Sequence, residues 1–340
     1  MKIGLLGVGR AGWGMHCGEL ECWKDEFEIV AACDILEARR GKMKERYNCK
    51  VYENIEGLLS DTEVELVSIA TRSCDHFKHA LMALQAGKNV FVEKPMTSTY
   101  EEALILKDAS QDMKNGKLFI RHNRRFDPDF IHVKEIISSG ILGEVFNIKL
   151  RRNSYSRRDD WQTLKQYGGG QLLNWSPHII DHSLRFLDSP VKELFSNLKH
   201  ISAAGDAEDH IKIVMVGTSG RIVDMEISGG SAINSPEYQV YGTKGGLTLK
   251  DNTIYLKYLD PETELSERVA DEGTPVEGFG GSKDNLKWLE ESIPVMSGYN
   301  NVIWHELYKA IRFNSIYPIN IDEAVEVMKV ISEVKKGTEF

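Results

Sequence analysis

The chain opens on short runs that are almost wholly apolar: Ile3-Gly4-Leu5-Leu6, Ile29-Val30-Ala31-Ala32 and Leu66-Val67-Ser68-Ile69-Ala70. A strand covered by helices on both faces needs apolar side chains on both, so the missing alternation predicts a parallel, doubly wound sheet. Strands are expected at Lys2–Leu6, Phe27–Cys33, Leu66–Ala70, Asn89–Val92 and Leu118–Ile120, with helical patterns between most of them.

After a helical stretch at Pro128–Ser139 the texture changes, and strand-like segments follow one another: Val145–Arg152, Glu193–His200, Ile211–Val216, Ile222–Ser228, Tyr238–Tyr241, Leu247–Leu249 and Ile254–Tyr258. Such a succession predicts a large, mainly antiparallel open sheet. Helical patterns interrupt it at Pro177–Leu187 and close the chain at Val302–Asn314 and Ile321–Lys335. The expected division falls near Arg121–Asn123, giving units of 1–122 and 123–340. The C-terminal helices are free to pack back on the first unit. In Arg221–Ser228, Val223, Met225 and Ile227 form an apolar face, while Ile222, Asp224 and Glu226 form a mixed one, suited either to solvent or to another subunit of a homodimer or homotetramer. Asp260–Asp284, rich in Gly, Glu and Asp, reads as an extended loop.

Length supports two cores rather than one. A formal charge of -9 disfavours nucleic acid and anionic membrane as partners and leaves a small polar ligand. The first strand starts at Lys2 with no apolar leader, so a cytoplasmic protein is expected. Cys17, Cys22, Cys33, Cys49 and Cys74 form no CxxC pair and read as reduced thiols; scattered histidines give no metal-ligand spacing.

Directly after the first strand stands Gly7-Val8-Gly9-Arg10-Ala11-Gly12, a GxGxxG leading into a helical segment. Gly7 permits the tight turn, Gly9 leaves room for a pyrophosphate, Gly12 lets helix and strand touch, and the helix N-terminus offers N–H donors to the anion. About twenty residues on, the second strand ends at Asp34, where a carboxylate can accept hydrogen bonds from ribose hydroxyls. The first unit is thus expected to be a Rossmann domain. A carboxylate repels a 2′-phosphate, so NAD is favoured over NADP, although Arg39 and Arg40 stand close by.

Four motifs together resemble the Gfo/Idh/MocA family of sugar oxidoreductases: the GxGxxG; Thr71 to His76 leading into Ala86-Gly87-Lys88-Asn89-Val90-Phe91-Val92-Glu93-Lys94-Pro95; Asn123-Arg124-Arg125-Phe126-Asp127-Pro128; and Gly168-Gly169-Gly170 through His178 to Asp181. The resemblance runs over almost the whole chain. It implies a nicotinamide beside Lys94, a substrate facing the residues of GGGxLxDxxxHxxD, and a sugar, sugar derivative or inositol as substrate. Lys94, His178 and Asp181 match the pattern; Asn174 stands where the family usually has aspartate, which keeps a hydrogen-bonding group but removes an ionisable one.

Oxidising a secondary alcohol needs a base near neutrality and a cation to steady the developing alkoxide. His178 and Lys94 can supply them. Ser176-Pro177 reads as N-cap and first helical residue, which puts His178 in the first turn, where the positive helix end favours neutral imidazole. Lys94 follows the last apolar strand of the nucleotide half, where ligands of doubly wound sheets gather, and Glu93 is expected to hold that turn. Thr71 and His76, at the preceding strand's exit, and His16 in the first helix are candidate cleft liners or helix-surface residues. Arg124 reads equally as a substrate contact, a domain contact or a solvated charge. Tyr155, Arg157 and Trp161, in an arginine-rich run before the glycine triplet, can reach a sugar or an acidic group, or else form an exposed loop neutralised by Asp159 and Asp160. Two rivals to a simple dehydrogenase stay open: a redox-cycling glycosidase or lyase of the same family, and a non-catalytic NAD-binding regulator.

Overall fold

The computed structural model describes all residues except 113, 266, 268, 271, 274–285 and 300. Most of the loop expected over Asp260–Asp284 therefore lies outside the described residues.

The first unit holds a six-stranded sheet: β1 (Lys2–Leu6), β2 (Glu28–Cys33), β3 (Lys50–Tyr52), β4 (Leu66–Ile69), β5 (Asn89–Glu93) and β6 (Leu118–Arg121). All its pairings are parallel, in the order β3-β2-β1-β4-β5-β6, so the chain reverses direction across the sheet between β1 and β4. That switch opens a crevice at the strands' carboxyl ends. Leu5, Val67, Ile69, Val90, Phe91 and Val92 are fully buried, as their unbroken apolar runs require. β3 has only three residues, too short for its pattern to register in the sequence.

The second unit carries an eight-stranded sheet: β7 (Val145–Asn153), β8 (Val191–Lys199), β9 (His210–Gly217), β10 (Ile222–Ser228), β11 (Tyr238–Gly242), β12 (Gly245–Lys250), β13 (Thr253–Leu259) and β14 (Trp288–Pro294). Their order is β14-β13-β12-β11-β7-β10-β9-β8, antiparallel throughout except for β7 beside β10. The register aligns Ile213, Met225, Leu150, Tyr238, Leu249 and Ile254 on one buried face. β14 escapes sequence reading because its Glu290-Glu291-Ser292 segment forms a polar edge strand rather than an apolar one.

The helices follow as α1 (Cys17–Leu20), α2 (Glu37–Tyr47), α3 (Ile55–Ser60), α4 (His76–Gln85), α5 (Tyr100–Gln111), α6 (Pro128–Ser138), α7 (Gln171–Asn174), α8 (Ser176–Leu187), α9 (Val302–Arg312) and α10 (Ile321–Lys335). α8 lies on the buried face of the second sheet with every residue but Arg185 buried. α9 and α10 pack back on the first unit: Trp304, fully buried, meets Phe27 and Phe91 edge-on at 5.7 and 4.8 Å. No helix among the described residues is long and apolar enough to cross a membrane. The five cysteines are unpaired thiols.

Two local expectations change. From Arg10, inside the glycine motif, the chain winds first as a wide π-helical turn, Arg10–His16, before α1. Ser176 is not the cap of α8: Trp175, itself helical, precedes the helix, Ser176 is its first residue with a buried hydroxyl, and α7 runs almost directly into it. His178 still lies in the first turn, its N–H donating to the Trp175 carbonyl at 3.1 Å.

Candidate active site

The glycine motif builds a cradle that side chains would close. Gly7 has φ +87° and donates its N–H to the Cys33 carbonyl at 2.9 Å, and a Cβ on Gly12 would collide with the Gly7 carbonyl. At Gly9 a Cβ would meet nothing nearer than the Arg39 guanidinium at 3.6 Å, so the space above it is open. Arg10 and Ala11 begin the helical turn, at the end where helix N–H groups have no partner within the helix. Asp34 closes the far side: its carboxylate accepts the N–H groups of Val8 and Leu36 at 2.8 and 2.9 Å and pairs with Arg39 at 3.3 Å. An anion cradle at a helix start with an acid at the next strand's end fits a dinucleotide.

Across the crevice, Lys94 follows β5 through a cis peptide to Pro95. Its Nζ donates to the main-chain carbonyl of Asn174 at 2.8 Å. Burial pulls the Lys94 pKa down to about 8, against Glu93, which raises it, and with help from Arg124, Arg121 and Arg10. His178 is 5% exposed, and burial, together with Lys94, Arg124 and neighbouring histidines, holds it well below the ordinary histidine range, so it is neutral. A neutral imidazole has a ring nitrogen free of a proton and can accept one.

The lysine rests on a buried polar chain. The Glu93 carboxylate accepts from His16 Nε2 at 2.9 Å and Arg121 Nη1 at 2.8 Å, with a longer 3.2 Å bond from the Lys94 backbone N–H. Arg121, fully buried, forks onto Glu19 at 2.6 and 2.5 Å, and Glu19 accepts the Trp304 indole N–H at 2.7 Å. His16 is thus neither a cleft wall nor a helix-surface residue; it bridges Glu93 and Ser68. His76, also buried, sits between the carbonyls of Pro95 at 2.7 Å and Thr71 at 3.3 Å, tying the Thr71 loop to the Lys94 turn. The Thr71 hydroxyl pairs with His79 at 3.1 Å.

On the substrate side, Asn174 meets Lys94 through its backbone and turns its side chain to Gln162, 3.3 Å away. Asp181 is buried and held by Arg125 through a fork of 2.7 and 2.5 Å, so it anchors α8 rather than facing the cleft; Arg125 also pairs with Glu323 of α10. Arg124 pairs with Asp127 at 2.6 Å and packs on Trp175, 4.4 Å from the ring centre, where Arg152 lies at 3.8 Å. Tyr155 is 63% exposed and Arg157 is exposed as well, while Trp161 is half-buried. Arg158, not Arg157, turns inward to Asp160 and Gln162. Sequence reasoning missed His122, buried with its ring 6.3 Å from that of His178 and its pKa lowered by burial to about 4. The signal available was a histidine at the end of an apolar strand, beside a buried arginine. No cluster among the described residues has the make-up of a metal site.

Residues 1–121 match the family profile described as an oxidoreductase family with an NAD-binding Rossmann fold, and residues 130–248 match the GFO/IDH/MocA C-terminal domain. The chain belongs to the Gfo/Idh/MocA oxidoreductases. It is 28% identical to scyllo-inositol 2-dehydrogenase (NADP(+)) of Bacillus subtilis over 99% of this chain and 94% of that one. An uncharacterized oxidoreductase of Schizosaccharomyces pombe is 32% identical over 79% of this chain and 74% of its own. A putative oxidoreductase structure from Bacillus subtilis superposes with a TM-score of 0.81, covering 99% of this chain and 98% of that one; at 24% identity it supports the fold.

Proposed function

We propose that the protein moves hydride between NAD and a hydroxyl or keto carbon of a sugar, sugar derivative or inositol, with residues 1–122 holding the cofactor and 123–340 the substrate. The observation that carries this reading is a buried lysine and a neutral histidine, converging beside a dinucleotide cradle. The cradle of Gly7, Gly9, Arg10, Ala11 and Gly12, with Asp34, holds the dinucleotide, which supplies the hydride acceptor when bound. His178 takes the substrate's hydroxyl proton. Lys94 steadies the oxygen as negative charge grows on it, in a pocket where burial strengthens the interaction. Asn174 fixes the lysine through its main-chain carbonyl, while its side-chain oxygen accepts from Gln162.

The buried Asp34 carboxylate supports NAD over NADP, and its pairing with Arg39 softens that choice. Phe195, Tyr255 and Trp288, exposed on one face of the second sheet, support a homo-oligomer joined through that face. Static light scattering at the weight of one chain would remove that part. The reading itself is checked by NADH formation when the protein and NAD are offered inositols, aldoses and glycosides. Activity on one of them, lost in Lys94→Ala, is expected; tight NAD binding with no turnover of any compound would overturn it.

A further inference from the structure

Beyond Asn174, away from Lys94, lies a polar cavity of about 150 Å³. Its walls include Ser156, Arg158, Gln162, Asn174, Trp175 and Glu208; neither Lys94 nor His178 lines it. Asn174 is the partition: its carbonyl holds Lys94 on one side, and its side chain meets Gln162 on the other. The space is therefore next to the reacting position and distinct from it.

A void of ~150 Å³ is the size that admits one benzene-sized ring. Its chemistry selects which ring. Arg158 is matched by Asp160 at 2.9 Å, and Asp209, also on the wall, is already occupied by the N–H groups of Ile201, Ser202 and Ala203 at 2.6, 2.8 and 2.8 Å. Among these groups no unmatched cation remains to recognise a phosphate or carboxylate. Glu208 is 5% exposed and takes the Leu172 N–H at 2.8 Å through one oxygen, and burial raises its pKa. Gly170 makes room for that carboxylate: it sits at φ +97°, and a Cβ there would strike the Glu208 oxygens. Hydroxyls, amides and a carboxyl group recognise an uncharged, hydroxyl-rich ring, which offers both donors and acceptors.

We propose that this cavity is a second sugar subsite, and that the preferred substrate is a neutral glycoside whose reacting ring lies at Lys94 and His178 while its neighbouring ring occupies the space beyond Asn174. This rests on the hydride-transfer reading above.

The test uses the full chain with NAD, and compares disaccharides (maltose, cellobiose, lactose) and galactosyl-inositol with their constituent monosaccharides and myo-inositol. The best two-ring compound is expected to exceed its own components in kcat/KM by at least about tenfold. Ser156→Tyr, and Ser154→Phe at a second wall residue, both exposed, fill the cavity; each should lower kcat/KM for the two-ring compound about tenfold or more and leave the single ring within about twofold. Calorimetric binding of the same compounds should show the same split. Equal or better use of single rings, or filling variants that change neither class or both alike, would overturn the subsite. If no compound yields NADH, the hydride-transfer reading fails, and calorimetry alone decides the subsite: two-ring binding weakened by Ser156→Tyr keeps it, unchanged or absent binding removes it.

Discussion

The carboxylate of Glu93 is the negative charge nearest in the chain to Lys94, and Glu93→Gln removes it while leaving an amide to meet His16 and Arg121. Glu93 acts to raise the lysine's pKa, so its loss must lower that pKa from about 8. Two unit charges on the order of 7 Å apart, at an effective dielectric of ~20, interact by roughly 2.4 kcal/mol, or about 1.7 pKa units. Lys94 should then titrate between roughly pH 6 and 7. Alcohol oxidation needs the cationic form, so its loss on raising pH, set near 8 in the parent, should move down by about one to two units. At pH 7 the cationic fraction falls from about nine-tenths to roughly a sixth, which predicts about a fivefold loss in kcat/KM, while near pH 5.5 the two proteins should nearly agree. The assay is kcat/KM for alcohol oxidation from pH 5 to 9, with thermal melting to confirm folding. Arg121 keeps its Glu19 partner, so a lower melting temperature is expected rather than collapse. A folded variant with an unmoved high-pH limb, or with the same loss at every pH, would refute the electrostatic role of Glu93.

Three further outcomes follow from the same geometry. His178→Ala should cut kcat by roughly 10²- to 10⁴-fold with NAD affinity unchanged by calorimetry; near-parent turnover would remove it as the base. Asp34→Asn should shift the NADP-to-NAD ratio of kcat/KM toward NADP by about tenfold or more, and an unchanged ratio would show that this carboxylate does not set the choice. Because Lys94 meets Asn174 through the main chain, Asn174→Asp should retain turnover within roughly threefold at neutral pH and push the lysine's limb upward; a loss above about tenfold would show that the amide itself is required.

Much of this is legible in the sequence itself. Runs such as Leu66–Ile69 announce a strand buried on both faces, and Ile222–Ser228 alternates as a strand with two unlike faces must. Motif and strand-end position single out Lys94 and His178 in the sequence, and in the structure Lys94 meets the main-chain carbonyl of Asn174. Less legible were features that depend on long-range approach. Glu19, Arg121 and Trp304 are far apart in the chain, and only folding makes one buried network of them. Which of Arg157 and Arg158 faces inward is decided by a loop without periodicity. The role of Asp181 was similarly hidden, because its partner Arg125 comes from another element.

The most direct measurement offers the enzyme a reactive sugar or polyol bearing deuterium on the carbon to be oxidised, and reads the mass of the nicotinamide formed. Lys94 and His178 acting on a hydroxyl beside the cradle predict reduced cofactor that carries the deuterium, formed more slowly than from the unlabelled compound. Reduced cofactor without deuterium, or label lost to water, would contradict direct hydride transfer at this site.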